Sequence, residues 1–329
     1  MRPRPRISQT AWILVPAALL LVALVSCSRD IPVAPGASPD SYGAARALAA
    51  SAVPSGAFFP LTVGNRWHAV GVGHITSVPT GGGPPFVELS FQDDISRELT
   101  GTETLLGRSY TLLTEAHVES GSFGGDPNPF TYWIRYRQDQ SGLYEADVDV
   151  TQPPAAASTD AARVQAGARE SRRPLPAEWR ARLPVEQVAA YERAWNSIQD
   201  KSAAVREMLG ARSSALRPAG LLDGEITRLT YPMRPGAEWT IRPEPFFGAT
   251  VEGVDNLDLP AGRFPAYRIR IEGEAFGSDD IVHFWFGRSG QLQVKYHLES
   301  VMTDVDGNEI GRLVDDYNEA VDSLTLLQP

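Results

Sequence analysis

The chain has 329 residues, a formal net charge of −10, 43% hydrophobic residues, 29 Gly, 26 Pro and a single Cys. The acidic balance, with no Lys/Arg stripe, excludes a partner held through nucleic-acid phosphates, and one cysteine excludes an intrachain disulfide. The apolar fraction suits a folded globular protein, and the many Gly and Pro with few helical patterns favour β structure.

Arg2, Arg4 and Arg6 form a basic start, and Ala11 to Val25 is an almost unbroken apolar run. The run falls short of the roughly 20 residues that a comfortable membrane span needs, and it fits the apolar region of a signal peptide. It ends in Leu24-Val25-Ser26-Cys27. This stretch resembles the lipobox of bacterial lipoproteins, which implies that Cys27 is acylated and becomes the mature amino terminus. From Cys27 onward the formal charge is −13, because three arginines and no acid precede it. By the same resemblance, Ser28 and Arg29 after the cysteine, with no Asp there, imply transfer to the outer membrane. Residues 27–57 are rich in Ala, Ser, Pro and Gly and read as a lipidated flexible tether, with a short helix expected over Tyr42 to Ala52.

Phe59-Pro60-Leu61-Thr62-Val63-Gly64-Asn65-Arg66-Trp67 opens the β-rich part and returns as Tyr231-Pro232-Met233-Arg234-Pro235-Gly236-Ala237-Glu238-Trp239. In each copy the proline marks a strand approach and the glycine supplies a turn with positive φ. The tryptophan then anchors a strand. The spacing predicts one turn geometry for Gly64 and Gly236 and equivalent core sites for Trp67 and Trp239.

The first antiparallel β half is expected over 58–150, with strands from Trp67 to Ser77 and Phe86 to Phe91. Hairpins are expected at Leu106-Gly107 and Gln138 to Ser141. The second half, 221–329, repeats the order. Gly101-Thr-Glu103-Thr-Leu105 is echoed by Gly253-Val-Asp255-Asn-Leu257, and Trp133 leading to Ser141-Gly142 by Trp285 leading to Ser289-Gly290. Asp306-Gly307-Asn308 predicts a further hairpin turn.

Between the halves, 151–220 holds a Pro/Ala-rich linker and a helix from Pro184 to Gly210. Val188, Tyr191, Trp195, Ile198, Ser202, Val205 and Leu209 recur on one helical face. That face is expected to pack on the β core; a partner-binding helix is the alternative. The fold class is therefore mainly β, with two tandem antiparallel halves (half-barrel or sandwich-like) and one long amphipathic helix between them.

Chemistry is sparse. The five histidines, His68, His74, His117, His283 and His297, show no zinc-ligand spacing, and core or surface positions in strands are expected for them. Gly287-Arg288-Ser289-Gly290 lacks the spacing of a serine nucleophile elbow, and no phosphate-binding loop is present. Carboxylates cluster at Asp93-Asp94, Asp255/Asp258, Asp279-Asp280 and Asp304/Asp306/Glu309. The last departs from the EF-hand pattern and reads as a turn. In Phe284-Trp285-Phe286 both faces carry aromatics, so one face needs cover, expected from the helix. No catalytic residue, metal ligand or cofactor site is assigned, and no ligand-binding residue is identified.

The Pro-x-x-x-Gly-x-x-Trp spacing, Pro260-Ala-Gly-Arg-Phe264 and a later Trp resemble a pattern of bacterial secreted lipoproteins. Those are associated with antiparallel half-barrels of the kind used by periplasmic lipoprotein carriers. No catalytic residue follows from the resemblance. The expectation is a non-enzymatic binding or scaffold lipoprotein of the cell envelope, anchored through Cys27 in the outer membrane and facing the periplasm. Its partner would be an envelope protein or an apolar ligand. The alternatives are a carrier of a lipid or acyl chain between sheet and helix, and a secreted hydrolase of envelope glycans.

Overall fold

The structure is a computed structural model that describes residues 59–83, 85, 88–105, 107–121, 128–146, 175–208 and 224–327. The expected signal peptide, Cys27, the tether, the 42–52 helix, most of the 151–220 linker and the Gly210 helix stop lie outside these residues. Twelve strands form one antiparallel sheet. They are β1 (Arg66–Pro79), β2 (Glu88–Leu105), β3 (Arg108–Gly121), β4 (Asn128–Gln138), β5 (Gly142–Ala146), β6 (Glu225–Thr230), β7 (Glu238–Pro243), β8 (Phe246–Leu259), β9 (Gly262–Gly273), β10 (Ile281–Gly287), β11 (Gly290–Thr303) and β12 (Glu309–Thr325). Two helices, α1 (Ala177–Arg182) and α2 (Val185–Met208), fall between β5 and β6.

The strand order is β6-β5-β4-β3-β2-β1-β12-β11-β10-β9-β8-β7. Each half of the chain is thus a six-stranded meander, and the ladder between β1 and β12 fuses the two into one sheet. The outer strands β6 and β7 come together without a ladder, which leaves the sheet a nearly closed barrel with one seam. β6 pairs with β5, so by pairing the first meander runs from β1 to β6.

The internal repeat has a backbone counterpart. Gly64 and Gly236 have φ of 93° and 81°, so they share the left-handed turn conformation that glycine adopts without a Cβ clash. Gly64 N donates to the Leu99 carbonyl at 2.7 Å and Leu99 N to Asn65 O at 3.0 Å. Gly236 N donates to Val251 O at 2.8 Å and Val251 N to Ala237 O at 2.9 Å. Just beyond each acceptor the ladder shifts by one residue, between Leu99 and Gly101 in β2 and between Val251 and Gly253 in β8. A β-bulge at the same place in both halves bends the strand and raises its twist, which is what closing a barrel requires.

The two tryptophans are not equivalent, contrary to the sequence expectation. Trp67 is 3% exposed, and its Nε1 donates to the Ser289 carbonyl at 2.6 Å. Trp239 is only half-buried, and its Nε1 has no partner. By the repeat its acceptor would be the Ser141 carbonyl, which instead receives the Tyr231 amide at 2.9 Å. The difference falls at the seam, where β7 has no ladder partner on its β6 side.

α2 packs by the face the sequence predicted, and its setting is the barrel interior. Tyr191, Ala194, Trp195, Ile198, Val205 and Met208 join one core with inward residues of both meanders, from Phe59 and Trp67 to Phe284 and Val294. Met208 shares a small cavity with Tyr136, Leu143, Leu229, Ile241, Ile269 and Phe284, which come from strands of both meanders. The first turns keep an exposed side, with Val185 87% exposed, while from Asn196 onward Asn196 and Asp200 alone are exposed among residues with described side chains. The later turns of the helix therefore pack into the core inside the barrel. α1 was not foreseen; its Trp179 is buried edge-on against Trp195 with ring centroids 5.6 Å apart.

Phe284 and Phe286 point into this core, whereas Trp285 belongs to a separate cluster with Ala266 and Leu292, against which Leu257, Leu259 and Phe264 pack. The cover for the second aromatic face is thus the β8–β9 hairpin and not the helix. The hairpin extends past the end of β10, which leaves its apolar tip free to fold back.

Candidate functional site

Strand register gathers charge inside the barrel. Trp67, Arg97 and Glu115 are successive partners across β1, β2 and β3, with Ile95 and His117 in the next inward row. Arg97, 6% exposed, pairs with Glu115 through Nε and donates from Nη1 to Glu319 at 2.7 Å. His117 Nδ1 lies 2.7 Å from Asp93 and its Nε2 2.9 Å from Glu115. Burial alone would favour neutral imidazole, but the Asp93 and Glu115 carboxylates outweigh it and raise the His117 pKa to about 10. Burial would likewise favour a neutral Glu115. Arg97 first, then His117, overcome it and hold Glu115 at about 2. A histidine that donates from both nitrogens has no lone pair for a substrate proton, so this cluster holds β1, β2, β3 and β12 in register. A general base would need a free acceptor nitrogen.

A second buried pair, Arg228 and Glu145 at 2.5 Å, joins β6 to β5. Nearby, burial and then the Glu145 charge push the Tyr136 phenol well above its ordinary value. A further buried carboxylate ties the helix to the sheet: Ser202 Oγ donates to Asp315 Oδ2 at 2.7 Å. Asp315 is 2% exposed and its Oδ1 has no partner. Burial raises its pKa to about 6 against the opposing Ser202 bond and the Arg206 charge. Lys201 of the helix pairs with the enclosed Asp280 at 2.6 Å.

Two enclosed spaces bounded by described residues are small. The cavity around Met208 and Phe284 holds about 20 Å3, and the one bounded by Phe59, Trp67, Arg97, Glu115 and Gln291 about 10 Å3. Drug-sized ligands occupy roughly 300–1,000 Å3. A wider space lies outside, an open groove of about 580 Å3 lined by Val72, His74, Ile281, His283, Lys295 and Asp316 among others.

The outward rows are also set by register. His74, Asp316, His297 and Ile281 are successive cross-strand partners on β1, β12, β11 and β10, and Val72, Asn318, Lys295 and His283 form the adjacent row. His297 reaches Asp316 at 2.6 Å and Glu299 at 2.9 Å. Burial would lower its pKa, but Glu299 and Asp316 raise it. His74 Nδ1 meets Ser90 Oγ at 2.9 Å, His283 meets Glu252 at 3.0 Å, and His68 lies between Asp94 and Asp322 at 3.2 and 3.3 Å.

The carboxylate clusters of the sequence separate. Asp93 turns inward to His117 while Asp94 turns outward to His68, as neighbours on a strand must. Asp255 accepts from Trp285 Nε1 at 2.8 Å, and Asp258 pairs with Arg263. Asp280 accepts the amides of Gly277 and Glu299, whereas Asp279 meets Arg312. Asp304 accepts the amides of Asp306 and Asn308, so this run is the hairpin turn its spacing indicated. The sequence did not reveal the histidine–carboxylate pairs. A charged residue at an inward position of an alternating strand, as at Asp93, Arg97, Glu115 and His117, was the one available signal. Leu24, Val25, Ser26 and Cys27 lie outside the described residues.

No protein-family model matches the chain, and no curated protein matches it. Among solved structures, a Bacteroides fragilis protein described as exported, with a YMCC-like fold, is similar over 82% of this chain and 99% of its own, at 9% identity and a TM-score of 0.30. A protein from Parabacteroides distasonis described as a lipoprotein is similar over 82% of this chain and 98% of its own, at 10% identity and a TM-score of 0.26. Likenesses at this level carry no inference about the activity of this chain.

Proposed function

We propose that the chain is a lipid-anchored, non-enzymatic binding or scaffold protein of the bacterial cell envelope, held in the outer membrane through Cys27 and facing the periplasm. The anchor rests on the sequence: a basic start, an apolar run and a lone cysteine at its end. More than one acyl chain would give a stable hold where one binds only marginally. The observation that carries the binding role is the core that the helix shares with inward residues of both meanders. α2 and the buried ion pairs occupy the interior, so contact with other molecules falls to the outer face, where the large groove lies.

Three measurements test this reading. Cys27→Ser is expected to abolish labelling by a fatty-acid probe and to release the chain from membranes; continued acylation overturns the anchor. Native mass spectrometry of protein extracted from membranes is expected to show no stoichiometric lipid beyond the covalent acyl groups. A retained lipid would replace the scaffold role with that of a carrier, and turnover of purified envelope glycan would replace it with a hydrolase.

A further inference from the structure

We infer that Ser202 of α2 and Asp315 of β12 form a proton-dependent latch, which holds the later turns of the helix to the barrel wall while Asp315 carries its proton and loosens them when it does not. Register places Asp315 in an apolar row on the inward face. Its cross-strand partners are Ile75 of β1 and Leu298 of β11, and Leu89 of β2 lies beyond Ile75. All three are buried. Ser202 comes to Asp315 from the buried face of the helix, between Ile198 and Val205, and is itself buried. It donates to Oδ2 at 2.7 Å, while Oδ1 has no partner. A buried carboxylate with one oxygen unanswered among apolar neighbours is costly as an anion and much less so as a neutral acid.

The polar and titratable groups acting on Asp315 come from three elements. α2 offers the Ser202 hydroxyl and the Arg206 charge, β11 the Tyr296 phenol, and β12 the adjacent Asp316, which turns outward to His297. β1 presents Ile75 at this level. Burial is the largest influence and favours the neutral acid, with Asp316 on the same side; Ser202, Arg206 and Tyr296 oppose it. An ionised Asp315 regains hydration only if helix and wall part. The wall is fixed, because β12 is laddered to β1 on one side and β11 on the other. The helix is joined to it by side chains. Arg193 donates to the Thr303 carbonyl at 2.9 Å and Lys201 pairs with Asp280 at 2.6 Å, so the turns up to Ser202 have other ties. After Ser202 the helix meets the core through apolar Val205 and Met208. Those later turns are therefore the part that yields. The docked state holds the proton more tightly than water does, so docking is strongest in acid and weakens as pH rises through about 6. The latch is independent of acylation at Cys27.

The test is amide hydrogen exchange read by mass spectrometry on the full chain in detergent, from pH 4.5 to 7.5, with rates corrected for the intrinsic pH dependence of exchange. Protection of the amides from Ala203 to Met208 should fall by about tenfold or more across this range, since each unit of pKa difference is worth a factor of about ten. Amides of β2 and β3 should stay better protected throughout, which separates a local loosening of the helix from unfolding of the whole chain. Asp315→Asn, which has the shape of the protonated acid and cannot ionise, should make helix protection independent of pH. Ser202→Ala, which leaves the carboxylate without its Oδ2 donor, should enlarge the fall. An equal fall in Asp315→Asn, no fall in the unaltered chain, or a helix that exchanges only together with β2 and β3 would each overturn the latch.

Discussion

Trp67 donates a hydrogen bond from its indole to the Ser289 carbonyl at 2.6 Å, across 222 positions of sequence, and so ties the start of the first meander to the β10–β11 turn of the second. Its repeat partner Trp239 has no acceptor. Trp67→Phe leaves the half-buried Ser289 carbonyl without this donor and should cost about 0.5–1.5 kcal/mol. Trp239→Phe removes an unsatisfied donor and should be neutral or slightly stabilising. Denaturant unfolding of the two variants measures the contrast.

The shared turn gives a second contrast. A Cβ at Gly236 would meet nothing within 4 Å, so Gly236→Ala carries only backbone strain, roughly 1–2 kcal/mol for the left-handed conformation. A Cβ at Gly64 would lie 2.8 Å from Leu327 Cδ1, so Gly64→Ala should cost more. Midpoint shifts in urea, with unchanged slope, would establish the order. Equal losses would mean that the carboxy-terminal segment yields freely.

Stability should fall in two steps as pH rises. Asp315 has its pKa raised from 3.8 to about 6, so the fold favours its protonated form. Its contribution is complete below 3.8 and lost as pH passes 6. His117 is raised from 6.5 to about 10, so its contribution is complete below 6.5 and lost as pH passes 10. Asp315→Asn should remove the first step and raise stability at pH 7 by about 1–3 kcal/mol, since each pKa unit corresponds to about 1.4 kcal/mol. Below pH 4.5 the sign reverses for Glu115, whose pKa is lowered to about 2 and whose contribution is lost as pH falls through that range. Unfolding free energies from pH 2 to 10 read all three windows, and a monotonic rise from 4 to 10 would contradict them.

The helix in the barrel makes a packing prediction. Trp195 is 2% exposed in the midst of α2, and Trp195→Ala should cost about 3–5 kcal/mol through lost burial and an unfilled cavity. Val185, 87% exposed at the first position of the helix, should tolerate alanine within about 0.5 kcal/mol. Thermal unfolding distinguishes a helix packed in the core from one merely tethered to it, for which both variants would melt alike.

Much of the fold was legible because its signals are local. The Pro-x-x-x-Gly-x-x-Trp spacing marked the entry to β1, the glycines at 64, 107, 236 and 307 marked turns with positive φ, and steps of three and four marked the buried face of α2. α1 escaped because its six residues are too few to display a helical period. The ion pairs escaped for another reason. Arg97 meets Glu115 and Glu319, and His117 meets Asp93, only through the register of strands far apart in sequence.

By itself the sequence determined the β class, the twofold repeat, the turns and the amphipathic helix, because each depends on backbone preferences and side-chain period within a few residues. Tertiary structure alone decided that β1 pairs with β12, that α2 lies inside the barrel, that the β8–β9 hairpin covers Trp285, and that Trp67 has a partner while Trp239 has none. Those outcomes depend on which distant surfaces exclude water from each other and on how burial of a charge balances against the opposite charge it meets there. Neither quantity is written in any short stretch of the chain.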